Sequence, residues 1–65
     1  MMKPQKIRAL LIGNKETQTA IARSLGVQPS SVNMAIDNKF VSRRIREAIA
    51  AKARVPFEQM WGKAA

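Results

Sequence analysis

The chain has 65 residues, 12 Lys and Arg against 4 Asp and Glu, a net charge of +8, and neither cysteine nor histidine. These numbers predict one domain over residues 1–65, with no disulfide, no metal site and no cofactor. The charge favours nucleic acid as a partner, with an anionic membrane surface second and no polyanion at all as the third possibility. Without a signal peptide or an apolar run of about 20 residues, we expect a soluble cytoplasmic protein.

Apolar residues recur at helical spacing, and the first predicted helix covers residues 4–12. Pro4 suits the first helical turn because its missing N–H would be unpaired there anyway. Gly13 and Asn14 are expected to end the helix because both tolerate the left-handed conformation. The inward stripe of this helix consists of Ile7, Leu10 and Leu11.

The second and third predicted helices cover residues 18–25 and 29–36. Thr17 is a favourable N-cap for the second, and Gly26 closes it. Pro29 takes the first position of the third helix. The inward residues are Ile21, Ala22 and Leu25 in the second helix, and Val32, Ala35 and Ile36 in the third.

Two more helices are predicted over residues 43–53 and 56–61, after Asp37 and Asn38 stop the third. Ser42 caps the fourth helix. Ile45, Ala48 and Ile49 are expected to face inward, with Arg43, Arg44 and Arg46 in solvent. Phe57, Met60 and Trp61 form the apolar face of the fifth.

Five short helices with tight connections predict an all-α, compact five-helix bundle. Residues 63–65 are expected to fray. The predicted core consists of Ile7, Leu11, Ile21, Ala22, Leu25, Val27, Val32, Ile36, Val41, Ile45, Ile49, Val55, Phe57 and Trp61.

Residues 18–37 have the features of a helix-turn-helix unit. A connection as short as residues 25–28 sends the second helix off at about 90–120° to the first. Gly26 supplies a positive φ without a Cβ clash, and Ala22 is small enough for the helices to approach closely.

Counted from Gln18, the helix-turn-helix pattern is matched at Ile21, Ala22, Leu25, Gly26, Val27, Val32 and Ala35. With the segments 37–39, 41–45, 49–50 and 55–61, the chain resembles the lambda-repressor-like family over about residues 5–61. It is most similar to the small Ner-like regulators of Mu-type phages and bacteria. Two departures stand out: Ala53-Arg54 replaces the Leu-Gly of many relatives, and Gln28 replaces the usual Ser or Thr cap.

The resemblance implies that the third helix enters the major groove with its N-terminal residues at base edges. Gln and Asn can pair with adenine, while Pro and Met can contact a thymine methyl. The helix has no Arg, so we expect a site that leans towards A·T. The alternative is that Ser30, Ser31 and Asn33 only cap and solvate the helix. The candidate base contacts are Gln28, Pro29, Ser30, Ser31, Asn33 and Met34.

Phosphate contacts are expected at the start of the second helix and around the start of the fourth. A helix N-terminus binds anions, and it disfavours positive side chains unless an anion is near. Arg43 and Arg44 therefore suggest an external anion. The candidate phosphate contacts are Thr17, Gln18, Lys39, Ser42, Arg43 and Arg44.

The resemblance implies a sequence-specific transcriptional regulator, a repressor of phage or mobile-element promoters in a bacterial or phage-infected cell. It would bind an inverted-repeat operator as a homodimer, with recognition helices roughly 34 Å apart, and without a small-molecule ligand. Catalysis is not expected because His, Cys and Tyr are absent, and the four acids Glu16, Asp37, Glu47 and Glu58 are not paired by spacing.

Two alternatives remain open. An antitoxin-like protein-interaction module would use exposed apolar residues at Phe40, Met60 and Trp61. A membrane-surface peptide would use the basic segment 43–54, whose apolar face of Ala and Ile is weak for insertion.

Overall fold

The computed structural model describes residues 1–62, which contain five α-helices and no β-strand. Residues 63–65, predicted to fray, lie outside the described part. The predicted all-helical class and element order are confirmed, with small differences at two helix ends. Pro56 has extended backbone and precedes the last helix as its N-cap instead of opening it. The helices are α1 (Pro4–Gly13), α2 (Gln18–Leu25), α3 (Pro29–Ile36), α4 (Arg43–Ala53) and α5 (Phe57–Trp61).

The core lies around α4, which packs against each of the other helices in residues 1–62. Small side chains at Ala35, Ala50 and Ala53 are buried, so the helices meet closely there. The other buried residues are Ile7, Leu11, Ile21, Ala22, Val32, Ile36, Ile45, Ile49, Met60 and Trp61.

Several core predictions need correction. Val41 is 71% exposed, because it lies in the irregular segment before α4 and not on a helix face. Met60, by contrast, is 0% exposed, since α5 turns it into the core beside Trp61. The predicted core residues that are only half-buried at the edge of the cluster are Leu25, Val27, Val55 and Phe57.

The turn between α2 and α3 has the positive φ predicted for it. Gly26 is the C-cap of α2 with φ 70°, in the left-handed region. The Val27 N–H donates to the Ala22 carbonyl oxygen at 3.0 Å. This hydrogen bond closes the end of α2 and draws Val27 back towards the core.

The end of α1 differs from its prediction. Gly13 belongs to the helix, and Asn14 has a φ of −97°, so neither is left-handed. Lys15 takes the positive φ, at 58°. The Asn14 side chain instead donates to the carbonyl oxygens of Leu10 and Ala53, at 2.8 and 3.2 Å. Asn14 therefore ties the end of α1 to the end of α4.

Arg46 is half-buried, although the sequence predicted it in solvent. Its guanidinium lies 4.8 Å from the Trp61 ring centroid, and its backbone carbonyl accepts from the Trp61 Nε1–H at 2.9 Å. The guanidinium also donates to the side-chain oxygen of Asn38, which follows α3 with φ 59°. Arg46 thus holds α5 and the end of α3 against α4.

Candidate nucleic-acid interface

The α3 helix has two opposite faces. Val32, Ala35 and Ile36 are fully buried and seat the helix on the core. The predicted base contacts on the other side are exposed, except Ser31, which is half-buried; the exposed ones are Gln28, Pro29, Ser30, Asn33 and Met34.

Gln28 precedes α3 as its N-cap, but its side chain makes no capping hydrogen bond. Its backbone carbonyl accepts from the Ser31 N–H at 3.0 Å. The Gln28 carboxamide is therefore exposed at the start of the helix without a capping role, where a donor and an acceptor can meet a base edge.

The start of α2 is capped as predicted. The Thr17 hydroxyl accepts from the Ala20 N–H at 3.0 Å, while Gln18 begins the helix and is half-buried. The Thr17 O–H remains a possible donor, because capping uses only a lone pair. The pair Thr17 and Gln18 can therefore offer hydrogen-bond donors to an anion at this helix end.

Arg8 on α1 is a functional candidate that sequence reasoning missed. Its Nη1 donates to Asp37 Oδ1 at 3.0 Å, and its Nη2 donates to Asn33 Oδ1 at 2.5 Å. It also lines an open depression of about 300 Å³ with Thr17 and Gln18. Arg8 thus connects the exposed face of α3 with the start of α2.

The neighbours of Asp37 lower the pKa of its carboxyl group. The hydrogen bond from Arg8 holds the pKa of Asp37 below its ordinary value, against an opposing effect of desolvation. The charges of Arg8 and Lys39 lower this pKa further. Lys39 lies just after the end of α3 and is exposed, as a phosphate contact requires.

The start of α4 has internal partners that the sequence analysis did not foresee. The Ser42 hydroxyl caps the helix as predicted, accepting from the Ile45 N–H at 3.4 Å. Arg43 Nε donates to Glu47 Oε1 at 2.8 Å, and its guanidinium lies 4.6 Å from the Phe57 ring centroid. These contacts offset part of the unfavourable position of Arg43 at a helix N-terminus.

Arg44 reaches the turn after α2. Its Nη2 donates to the Leu25 carbonyl oxygen at 2.8 Å, across 19 residues of sequence. Arg43 and Arg44 are both exposed. The Arg44 contact brings a predicted phosphate-binding residue next to the connection that leads into α3.

Other site types are not indicated. The described residues hold no group of three or more acidic side chains placed to bind a metal ion. None of the helices in residues 1–62 is long and apolar enough to cross a membrane.

No protein-family model matches the chain, and neither a curated protein nor a solved structure matches it significantly. The resemblance to lambda-repressor-like proteins therefore stays a prediction.

Proposed function

We propose that this protein is a sequence-specific double-stranded DNA-binding regulator with a lambda-repressor-like helix-turn-helix fold. The observation that carries the proposal is the two-faced α3. It is seated by fully buried residues, follows the left-handed turn at Gly26, and exposes a mostly polar face in a chain of net charge +8. A polyanion with readable base edges fits such a surface.

The dimensions of α3 fit the major groove. An α-helix with its side chains is about 10–12 Å in diameter, and the major groove is about 12 Å wide. In this placement, Gln28 and Ser30 meet base edges at the start of the helix, and Met34 offers an apolar contact to a thymine methyl. The phosphate contacts are those at the starts of α2 and α4, together with Lys39.

The regulatory role follows the family resemblance. A homodimer on an inverted repeat places two copies of α3 about 34 Å apart, one turn of DNA. Occupying a phage or mobile-element promoter in this way blocks polymerase and represses transcription in the cytoplasm of a bacterial or phage-infected cell. This mode of action requires neither a cofactor nor a small-molecule ligand.

The protein-interaction alternative has less support. Two of its three apolar anchors, Met60 and Trp61, are 0% and 6% exposed, so they are not available to a partner. Phe40 is 40% exposed, next to the exposed Val41. An aromatic side chain and a valine form a smaller patch than a specific protein interface usually needs.

Selection of bound duplexes from a random pool tests the proposed function. We expect enrichment of one sequence with two-fold symmetry and half-sites separated by a turn of DNA. If no sequence is enriched at a salt concentration where the protein binds DNA, the protein binds DNA through its charge alone and the proposed function is wrong. A parallel pull-down on immobilised protein separates a protein partner from DNA.

A further inference from the structure

We infer that Arg8, although it lies on α1, determines which base Asn33 contacts, and that this base is guanine and not adenine. The inference rests on the proposed DNA-binding function and adds a base preference to it. It also replaces the A·T preference predicted from the sequence at this one position, because that prediction assumed a free Asn33 carboxamide.

The hydrogen-bonding groups of Asn33 determine which base edge it can contact. A free carboxamide offers an oxygen acceptor and an N–H₂ donor, the pair that matches adenine N6–H₂ and N7. Here the Asn33 oxygen already accepts from Arg8 Nη2. The Asn33 N–H₂ group keeps both of its donors, whereas its oxygen has one lone pair left, beside the positively charged guanidinium.

Arg8 adds further donors at the same place. A guanidinium carries five N–H donors and no acceptor, so the contacts to Asp37 and Asn33 leave others free. The side chain is 33% exposed, and the hydrogen bond of its guanidinium to Asn33 lies at the exposed surface. The Arg8–Asn33 pair therefore presents donors to whatever lies against this part of α3.

The base edges differ in how they meet a donor surface. Guanine offers two acceptors in the major groove, N7 and O6. Adenine offers one acceptor and one donor, and cytosine offers a donor. An adenine or cytosine amino group facing Arg8 and Asn33 would meet mostly donors and lose its hydrogen bond with water. Thymine offers one acceptor beside its methyl group, whereas guanine offers two acceptors, so guanine is favoured at this position.

Asp37 holds this arrangement in place. Its carboxylate accepts from Arg8 Nη1 at 3.0 Å, at the end of α3, while Asn33 lies one helical turn earlier. The guanidinium is therefore bound at two points, one on α3 and one at its C-cap. An arginine held in this way loses less conformational entropy when it contacts a base than a free side chain does.

The experiment uses the enriched duplex and measures Kd by fluorescence anisotropy. Asn33→Ala first identifies the base pair whose substitution no longer matters. At that position, the wild-type protein is expected to bind G·C about tenfold more tightly than A·T. Arg8→Met keeps the apolar stem and removes the donors, so it is expected to lose this preference or reverse it towards A·T. Asn33→Asp keeps an acceptor for Arg8 but loses its own donors, and it too should lose the preference.

The outcomes separate the inference from the proposed function. A wild-type preference for A·T, or no preference, contradicts the inference while leaving DNA binding intact. An unchanged guanine preference in Arg8→Met shows that Arg8 only ties α1 to α3. Absence of any enriched duplex overturns the proposed function and the inference with it. The wild-type base preference gives a result even if Arg8→Met fails to fold.

Discussion

Arg44 donates a hydrogen bond from Nη2 to the carbonyl oxygen of Leu25 at 2.8 Å, joining the first turn of α4 to the last residue of α2. The contact lies beside the connection that leads into α3. Since a guanidinium has further donors, Arg44 can hold the turn and still bind a phosphate. Arg43 differs, because a phosphate would have to compete with Glu47 and Phe57 for its guanidinium.

Replacing both arginines tests their contribution to DNA binding. The double variant Arg43→Ala with Arg44→Ala is expected to weaken binding to every duplex sequence. The slope of log K against log salt should become shallower by about 0.9 for each phosphate that the variant no longer neutralises, so by about 2 if both arginines bind phosphate. DNA-binding titrations at several salt concentrations measure this slope.

A matched control removes the same charge from the other end of α4. Lys52→Ala with Arg54→Ala also lowers the net charge by two, but these residues are exposed near the C-terminus of the helix. The control is expected to weaken binding less and to keep most of the slope. Equal losses of affinity in the two double variants would mean that net charge, and not the start of α4, drives binding.

Arg54 has a φ of 60° at the C-cap of α4, a backbone conformation that favours glycine. A non-glycine residue there is disfavoured by about 1–2 kcal/mol, partly offset by the greater unfolded-state entropy of glycine. Arg54→Gly is therefore expected to raise the free energy of unfolding by about 0.5–1 kcal/mol, measured by urea denaturation. Arg54→Ala serves as the control and should give no such gain, because alanine keeps the Cβ.

Two methionines test the corrected core. Met60 is 0% exposed, and truncation to alanine in a core costs about 2–5 kcal/mol. Met60→Ala should therefore lower the free energy of unfolding by about 2–5 kcal/mol, measured by urea denaturation. Met34 is 39% exposed, so Met34→Ala should change the free energy of unfolding by no more than about 0.5 kcal/mol. Equal effects of the two substitutions would contradict the burial of Met60.

The Arg8–Asp37 ion pair predicts how stability depends on pH. Arg8 holds the pKa of Asp37 below its value in the unfolded chain. Between these two pKa values the native state therefore binds fewer protons than the unfolded state. The stabilising contribution is complete above the ordinary pKa of an aspartate side chain and is lost as pH falls through the lowered pKa of Asp37.

Acid denaturation of Asp37→Asn provides the measurement. The variant should be less stable than the wild type at neutral pH and should lose less stability on acidification. Glu58→Gln removes a carboxylate from an exposed residue on α5 and is expected to keep the wild-type profile. Parallel acid profiles for Asp37→Asn and the wild type would show that the pair does not contribute.

Much of the fold could be predicted because its signals are local. Thr17 and Ser42 cap the helices that they precede, and Gly26 takes the left-handed conformation expected of it. A cap or a turn depends on residues three or four positions apart, which the sequence displays directly. Most helix boundaries follow from the same local rules; the end of α1 and the start of α5 are the exceptions.

The contacts of the candidate site could not be predicted in the same way. Arg8 meets Asn33 and Asp37 across 25 and 29 residues, and no periodicity encodes such a pairing. Arg46 was expected in solvent because it is charged, whereas its guanidinium lies over Trp61 once α5 folds back on α4. Long-range packing decides both cases.

The most direct test of sequence-specific binding through α3 is a competition measurement. The enriched duplex and a scrambled duplex of equal length and composition compete for the protein at physiological salt. We expect the enriched duplex to bind at least about 10³-fold more tightly, and Gln28→Ala with Ser30→Ala to reduce this ratio while leaving binding to the scrambled duplex unchanged. Equal affinity for the two duplexes, or a ratio that the α3 substitutions do not change, would contradict sequence-specific binding through α3.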